Sequence, residues 1–338
     1  MLRVSTASAG NDHRLGANEA PPAIVSMFIG DELMEILEAI ESGADYRDKE
    51  NHQMEIGVTV LPHFPKDTTD RNRTSPFAFT GNKFEFRMLG STFSIAGPNI
   101  VLNTTVAEIL RQFADELETS KNNAQDFTKD LAALVKRVFS NHRRIVFNGN
   151  NYSDEWVIES KRRGLSNLKT AVDALPEFIS EKSIELFTKH NVFTEAEIHS
   201  RYEILMESYC KTLHIEALTM TDLVKGEVVP ACISYQNEIA QLLTLKKGTT
   251  ESDVSLESHL LDRISKLSGC LLKKLNGLED ALLAAGEERE IHAQASFYRD
   301  QVYAAMSELR LIVDELETLV AKKHWMLPTY AELLYSVV

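Results

Sequence analysis

The sequence predicts an α+β protein, with a small β-sheet portion over residues 1–97 followed by a mainly α-helical bundle over residues 98–338. Short β-prone runs separated by polar, turn-rich connections fill the chain up to Gly97-Pro98. Beyond that point, apolar residues recur at the three-and-four spacing of half-buried helices. A chain of 338 residues with 43% hydrophobic and 25% charged content has enough apolar material for one large core or two ordinary ones.

Taken in order, the expected strands are Ala23–Ile29, Ile56–Leu61, Phe77–Thr80 and Phe84–Leu89. One helix interrupts them, Asp31–Gly43, with Asp31 as its cap and Gly43 as its stop. Past Pro98, Asn99–Ser120 and Asp126–Arg144 each carry one apolar face and read as helices. The stretches from Thr194 to about Lys247 and from Glu251 to Trp325 are long, amphipathic and poor in proline, as antiparallel helices of a bundle should be. Trp156 and Trp325 read as core packing, and no pair of the ten histidines has the helical spacing of metal ligands.

Composition excludes several function classes. Fifty acidic against 36 basic residues give a formal net charge of −14, a sign that repels nucleic acid and anionic membrane surfaces. Cys210, Cys232 and Cys270 lie far apart and are expected to be reduced, buried thiols. The N-terminal segment has no apolar stretch of signal-peptide length, and no run reaches the ~20 apolar residues needed to span a bilayer. A cytoplasmic location is expected.

Residues with chemical potential concentrate between Arg71 and Arg87, where Arg71, Arg73, Lys83 and Arg87 surround a strand-like segment. Period-two alternation puts Lys83, Glu85 and Arg87 on one face and Phe84 and Phe86 on the other, which should be buried. Such a row suits an anionic substrate together with a hard divalent cation, since guanidinium forks match carboxylate and phosphate oxygens. On spacing alone it better suits an edge strand with a solvated, mutually paired charged face. A second cluster, His13 to Ile24, sets Arg14 and Glu19 five residues apart across Gly16, on a loop. Glu19 there is either a lid carboxylate or merely solvated.

The wording RLGANEAPPAI followed by PHFPKDTTDRNRTSPFAFTGNKFEFR resembles the glutamine synthetase family, specifically its type III branch. The stretches VFNGNNYSDEW, VDALPEFISEKSIELF, FTEAEIHSRYEI and LPTYAELL are similar to that branch too, so the resemblance runs along the whole chain. It implies an incomplete catalytic β-sheet portion followed by the helical C-terminal region.

Carried over residue by residue, the resemblance makes Glu19 the flap glutamate that closes the site and takes a proton from ammonium. It makes Arg73 the arginine that stabilises the transferring phosphoryl group, with Lys83 near the nucleotide phosphates. Arg14 and Arg87 become the arginines for the substrate glutamate, and Glu85 a carboxylate ligand of Mg2+ or Mn2+. Ala78 stands where the commoner form has a further phosphate-binding arginine.

The implied reaction is ATP-dependent: the γ-carboxylate of glutamate attacks the terminal phosphate, and ammonia displaces phosphate from the acyl phosphate. ATP, glutamate and ammonia are the implied small-molecule partners, with neither nucleic acid nor membrane, and the implied assembly is a homo-oligomer, dodecameric in the complete family member. Because the family's other metal ligands precede the matching region, Met1 is expected to be an internal or artificial start, or the chain the product of a truncated gene, and the isolated chain is expected to be inactive. The alternative is a catalytically inactive, synthetase-like helical interaction module.

Overall fold

Strands β1 (Met27–Phe28), β4 (Phe77–Phe79) and β5 (Phe84–Phe86) form a three-stranded sheet in the order β1-β4-β5, and β2 (Gln53–Met54) pairs antiparallel with β3 (Phe64–Pro65). The structure is a computed structural model of the chain; it describes residues 1–17, 20–44, 53–54, 64–65, 75–119, 127–249, 253–328 and 330–335. The expected strand Ile56–Leu61 lies outside the described residues. β1 runs parallel to β4, and β4 antiparallel to β5 in the register Phe77↔Phe86, Ala78↔Glu85 and Phe79↔Phe84. Gly81, at φ +90°, makes the turn between them, a conformation that a side chain strongly disfavours. On the other flank of β1, Phe147 N–H donates to the Met27 carbonyl at 2.9 Å.

Helix α1 (Ala9–Arg14) is capped by Ser8, whose hydroxyl accepts from the Asn11 amide. The expected helix after β1 is α2 (Gly30–Ser42), stopped by Gly43 in the left-handed conformation. Its N-terminus differs from expectation: Asp31 lies inside the first turn, and the cap comes from Asn148. That side chain accepts from the amides of Ile29 and Gly30 at 3.1 and 3.2 Å and donates to the Gly30 carbonyl at 3.1 Å. The motif around Asn148 thus joins two segments: Asn151 accepts from the buried Ser26 hydroxyl, and Ser153 caps α5 (Asp154–Arg162). Phe147 stacks on the buried Trp156 at 3.8 Å, and the Arg163 guanidinium lies over both rings.

Helices α3 (Ala96–Thr119) and α4 (Phe127–His142) follow the expected spans, and α6 (Ala171–Ala174) and α7 (Glu181–Lys189) complete the region before α8 (Glu195–Leu223). Two compact units result, Met1–Tyr202 and Glu203–Val338. The sequence boundary at Gly97-Pro98 is where strand-bearing chain gives way to helix, and the first unit continues past it to Tyr202.

In the second unit α8 passes through a π turn, Val224–Val228, into α9 (Val229–Thr249). Pro230 explains the widened turn, because it has no N–H to donate and its ring crowds the carbonyl one turn back. Helix α10 (Ser255–Glu287) buries Ile264, Leu271, Leu278 and Ala285 at seven-residue intervals, with Leu275 and Leu282 beside them. Helix α11 (Ile291–Phe297) leads through a second π turn into α12 (Tyr303–Leu319), and a short α13 (Tyr330–Tyr335) follows. The pairs Arg263–Glu315 and Lys274–Glu308, both 2.6 Å, run in opposite senses along α10 and α12, so these helices are antiparallel as expected.

Cys210 and Cys232 are buried thiols whose pKa burial raises to about 11. Cys270 is exposed instead, because it precedes Leu271 by one position and so faces away from the buried stripe of α10. No helix among the described residues is long and apolar enough to cross a membrane.

Candidate active site

Alternation along β5 separates two chemistries. Lys83, Glu85 and Arg87 share a face, and the Glu85 carboxylate sits between the two cations, 2.9 Å from Arg87 Nη2, 3.2 Å from Arg87 Nε and 3.4 Å from Lys83 Nζ. The hydrogen bond from Arg87, with smaller help from Lys83, holds its carboxyl below the usual range. Opposite Glu85 in register is Ala78, which is fully buried.

The phenylalanine face departs from expectation. Phe84 is 50% exposed, and Phe86 is half-buried. The aromatic layer is built within the hairpin: Phe84 stacks on Phe77 at 5.4 Å and leans on Phe79 at 5.1 Å, while Phe77 meets Phe86 edge-on at 6.1 Å. At the turn end of the hairpin, Phe84 is covered by these neighbouring rings on one side only. The strand is therefore anchored by cross-strand pairing more than by deep burial.

Arg14 is not on a loop as expected but ends helix α1, and its side chain reaches the chain just after β5. Its Nη2 donates to the Met88 carbonyl at 2.6 Å and its Nε to Asn11 Oδ1 at 3.0 Å, which fixes the guanidinium one residue along the chain from Arg87. After Arg14 the chain turns at Gly16, φ +77°, and Leu15 and Ala20 form a bridge that closes the loop at its base. The Gly16 amide donates to the carbonyls of Ala20 and Pro21, both 3.1 Å away. Glu19 belongs to this loop, and Arg73 precedes β4; both lie outside the described residues.

Beneath the loop base is a cavity of about 430 Å³, lined by Asp12, Leu15, Ala20, Tyr152, Asn167 and Lys169 among others. Asp12 and Arg3, 9% and 4% exposed, form an ion pair at 2.7 Å. Arg3 also donates to the carbonyls of Leu168 and Lys169, and Asp12 accepts from the Ala171 amide at 2.7 Å. Burial pushes the Asp12 carboxyl up, against the pull of these donors. Helix α1 is thus held from two sides, by residues 168–171 and by Met88, just after β5. Sequence reading missed Arg3, Asn11, Asp12 and Asn148, because each has partners many residues away and none stands in a periodic pattern.

As a metal donor set, the described residues fall short. A hard divalent cation takes about six or more oxygen ligands. Glu85 offers one carboxylate, already paired, and no three acidic, histidine or cysteine side chains converge among the described residues. This chain's described part does not by itself fit the implied Mg2+ or Mn2+.

Residues 130–247 match the glutamine synthetase C-terminal domain. The chain is 42% identical to a glutamine synthetase of Butyrivibrio fibrisolvens, with all of the chain and 48% of the relative covered. It is 41% identical to the type-3 glutamine synthetase of Dictyostelium discoideum, covering 99% of the chain and 46% of the relative. For a glutamine synthetase of Bacteroides fragilis (strain YCH46) the identity is 33%, over 99% of the chain and 47% of the relative. The chain spans about half the length of the curated relatives it matches.

Proposed function

We propose that this chain, which is similar from end to end to glutamine synthetases with a type III enzyme among them, supplies one part of the active site of an ATP-dependent glutamate–ammonia ligase. The observation that carries the reading is the meeting of Arg14 with the chain that follows Arg87: two segments that the resemblance assigns to glutamate binding are joined at the Met88 carbonyl. Within this reading Arg14 and Arg87 bind the carboxylate of glutamate, Lys83 and Arg73 face nucleotide phosphates, and Glu19 receives the ammonium proton. Glu85 is one ligand of a cation whose remaining ligands come from outside the described residues.

The chain's own work is charge placement. A ground-state carboxylate is met by guanidiniums that persist through the reaction, whereas the charge that grows on the transferring phosphoryl group calls for a separate fixed cation. The reading therefore separates kinetically. In a chimera that joins this chain to the remaining half of the Butyrivibrio fibrisolvens relative, Arg73→Ala should lower kcat by roughly 10²–10³-fold. Arg87→Ala should instead raise the KM for glutamate by about tenfold or more, with a smaller change in kcat. Equal losses in both parameters for the two variants would mean that this division of labour is wrong.

A further inference from the structure

We infer that Asn11 is the positioning residue of Arg14. It sits on α1 with 3% of its surface exposed, and all of its amide is used. The nitrogen donates to the Thr6 carbonyl at 2.8 Å and to the Met88 carbonyl at 3.1 Å, and the oxygen accepts from Arg14 Nε at 3.0 Å. Arg14 Nη2 returns to the same Met88 carbonyl at 2.6 Å. The result is a closed loop of three groups: the Asn11 amide, the Arg14 guanidinium and the Met88 carbonyl.

Such a loop does what no single bond does. One acceptor leaves a guanidinium free to swing about that bond, while two acceptors, on Nε and on Nη2, fix its plane and its rotation together. The fixed edge is spent on the protein, and the rest of the fork remains for a planar anion. Because Met88 directly follows Arg87, the loop also sets the distance between the two arginines. Asn11 suits the task because its amide donates and accepts at once, which neither a carboxylate nor an aliphatic side chain of its size does. The ligand class is an amino-acid carboxylate, gripped by two guanidiniums; this part rests on the reading of Arg14 as a glutamate-binding residue.

The test reads positioning in the full 338-residue chain and binding in the chimera with the remaining half of the Butyrivibrio fibrisolvens relative. Positioning is read from the Arg14 Nε–H resonance, assigned through Arg14→Lys. It should be shielded from solvent exchange in the unmodified chain, lost or exchange-broadened in Asn11→Ala, and retained in Asn11→Asp, which keeps the acceptor. Fast exchange in the unmodified chain, or an unchanged signal in Asn11→Ala, overturns the inference, and the first of these is decisive even if Asn11→Ala does not fold. Binding is read by titration of the chimera with L-glutamate, where Asn11→Ala and Arg14→Ala should each weaken affinity by roughly tenfold. Unaltered affinity in a folded Asn11→Ala chimera also overturns it. If the unmodified chimera binds glutamate and Arg14→Ala leaves its affinity unchanged while the resonance behaves as expected, the substrate reading of Arg14 fails and its positioning by Asn11 stands.

Discussion

Glu85 and Glu108 show how differently two charged residues use their partners. Glu85, on an accessible strand face, is flanked by cations that the proposed function needs for other purposes. Glu108, on α3, is largely buried and accepts from Arg111 and Gln112 on its own helix, and from Lys189 and His190 at the end of α7. These donors, Arg111 foremost, push its carboxyl far below the ordinary carboxylate range. The linkage follows from the sign: a depressed folded-state pKa gives stability that is present above the ordinary value of about 4.3 and is lost as pH falls below it. Glu108→Gln should therefore melt at a lower temperature than the unmodified chain at pH 7, and the two melting curves should converge as the solution is acidified. A gap that stays constant with pH would assign the loss to packing instead.

At the scale of elements, the links that hold the first unit together are side chains reaching across long stretches of sequence. Asn148 caps α2 from 118 residues away. Asn148→Ala should cost about 1–2 kcal/mol, a typical loss for a helix cap, and should speed amide exchange at Ile29 and Gly30 while leaving the second unit unchanged. Denaturant unfolding with residue-resolved exchange measures both effects, and uniform exchange across α2 would contradict the capping role. What was legible in the sequence follows from the same distinction. Helix α2, its Gly43 stop, α3, α4 and the antiparallel helices of the bundle announce themselves through apolar spacing, because each signal lies within the element. The alternation that gathers Lys83, Glu85 and Arg87 was legible for the same reason. The cap from Asn148, the Arg3–Asp12 clamp and the Asn11 loop are contacts between elements, and no local pattern encodes them. Phe84 was misread because alternation says which face a ring occupies and not what covers that face.

For the whole molecule, the proposed function has the chain supply arginines to a glutamine synthetase site, while no three acidic, histidine or cysteine side chains converge on a cation among its described residues. A hard divalent cation needs several oxygen ligands placed together, and Glu85 offers one carboxylate, already paired with Arg87. The direct measurement is glutamine formation by the purified 338-residue chain with ATP, glutamate, ammonia and Mg2+ or Mn2+, run beside the chimera with the rest of the Butyrivibrio fibrisolvens relative. The expected result is no turnover above background by the chain and turnover by the chimera that falls on Arg87→Ala. Robust ATP-dependent glutamine formation by the chain alone would contradict it.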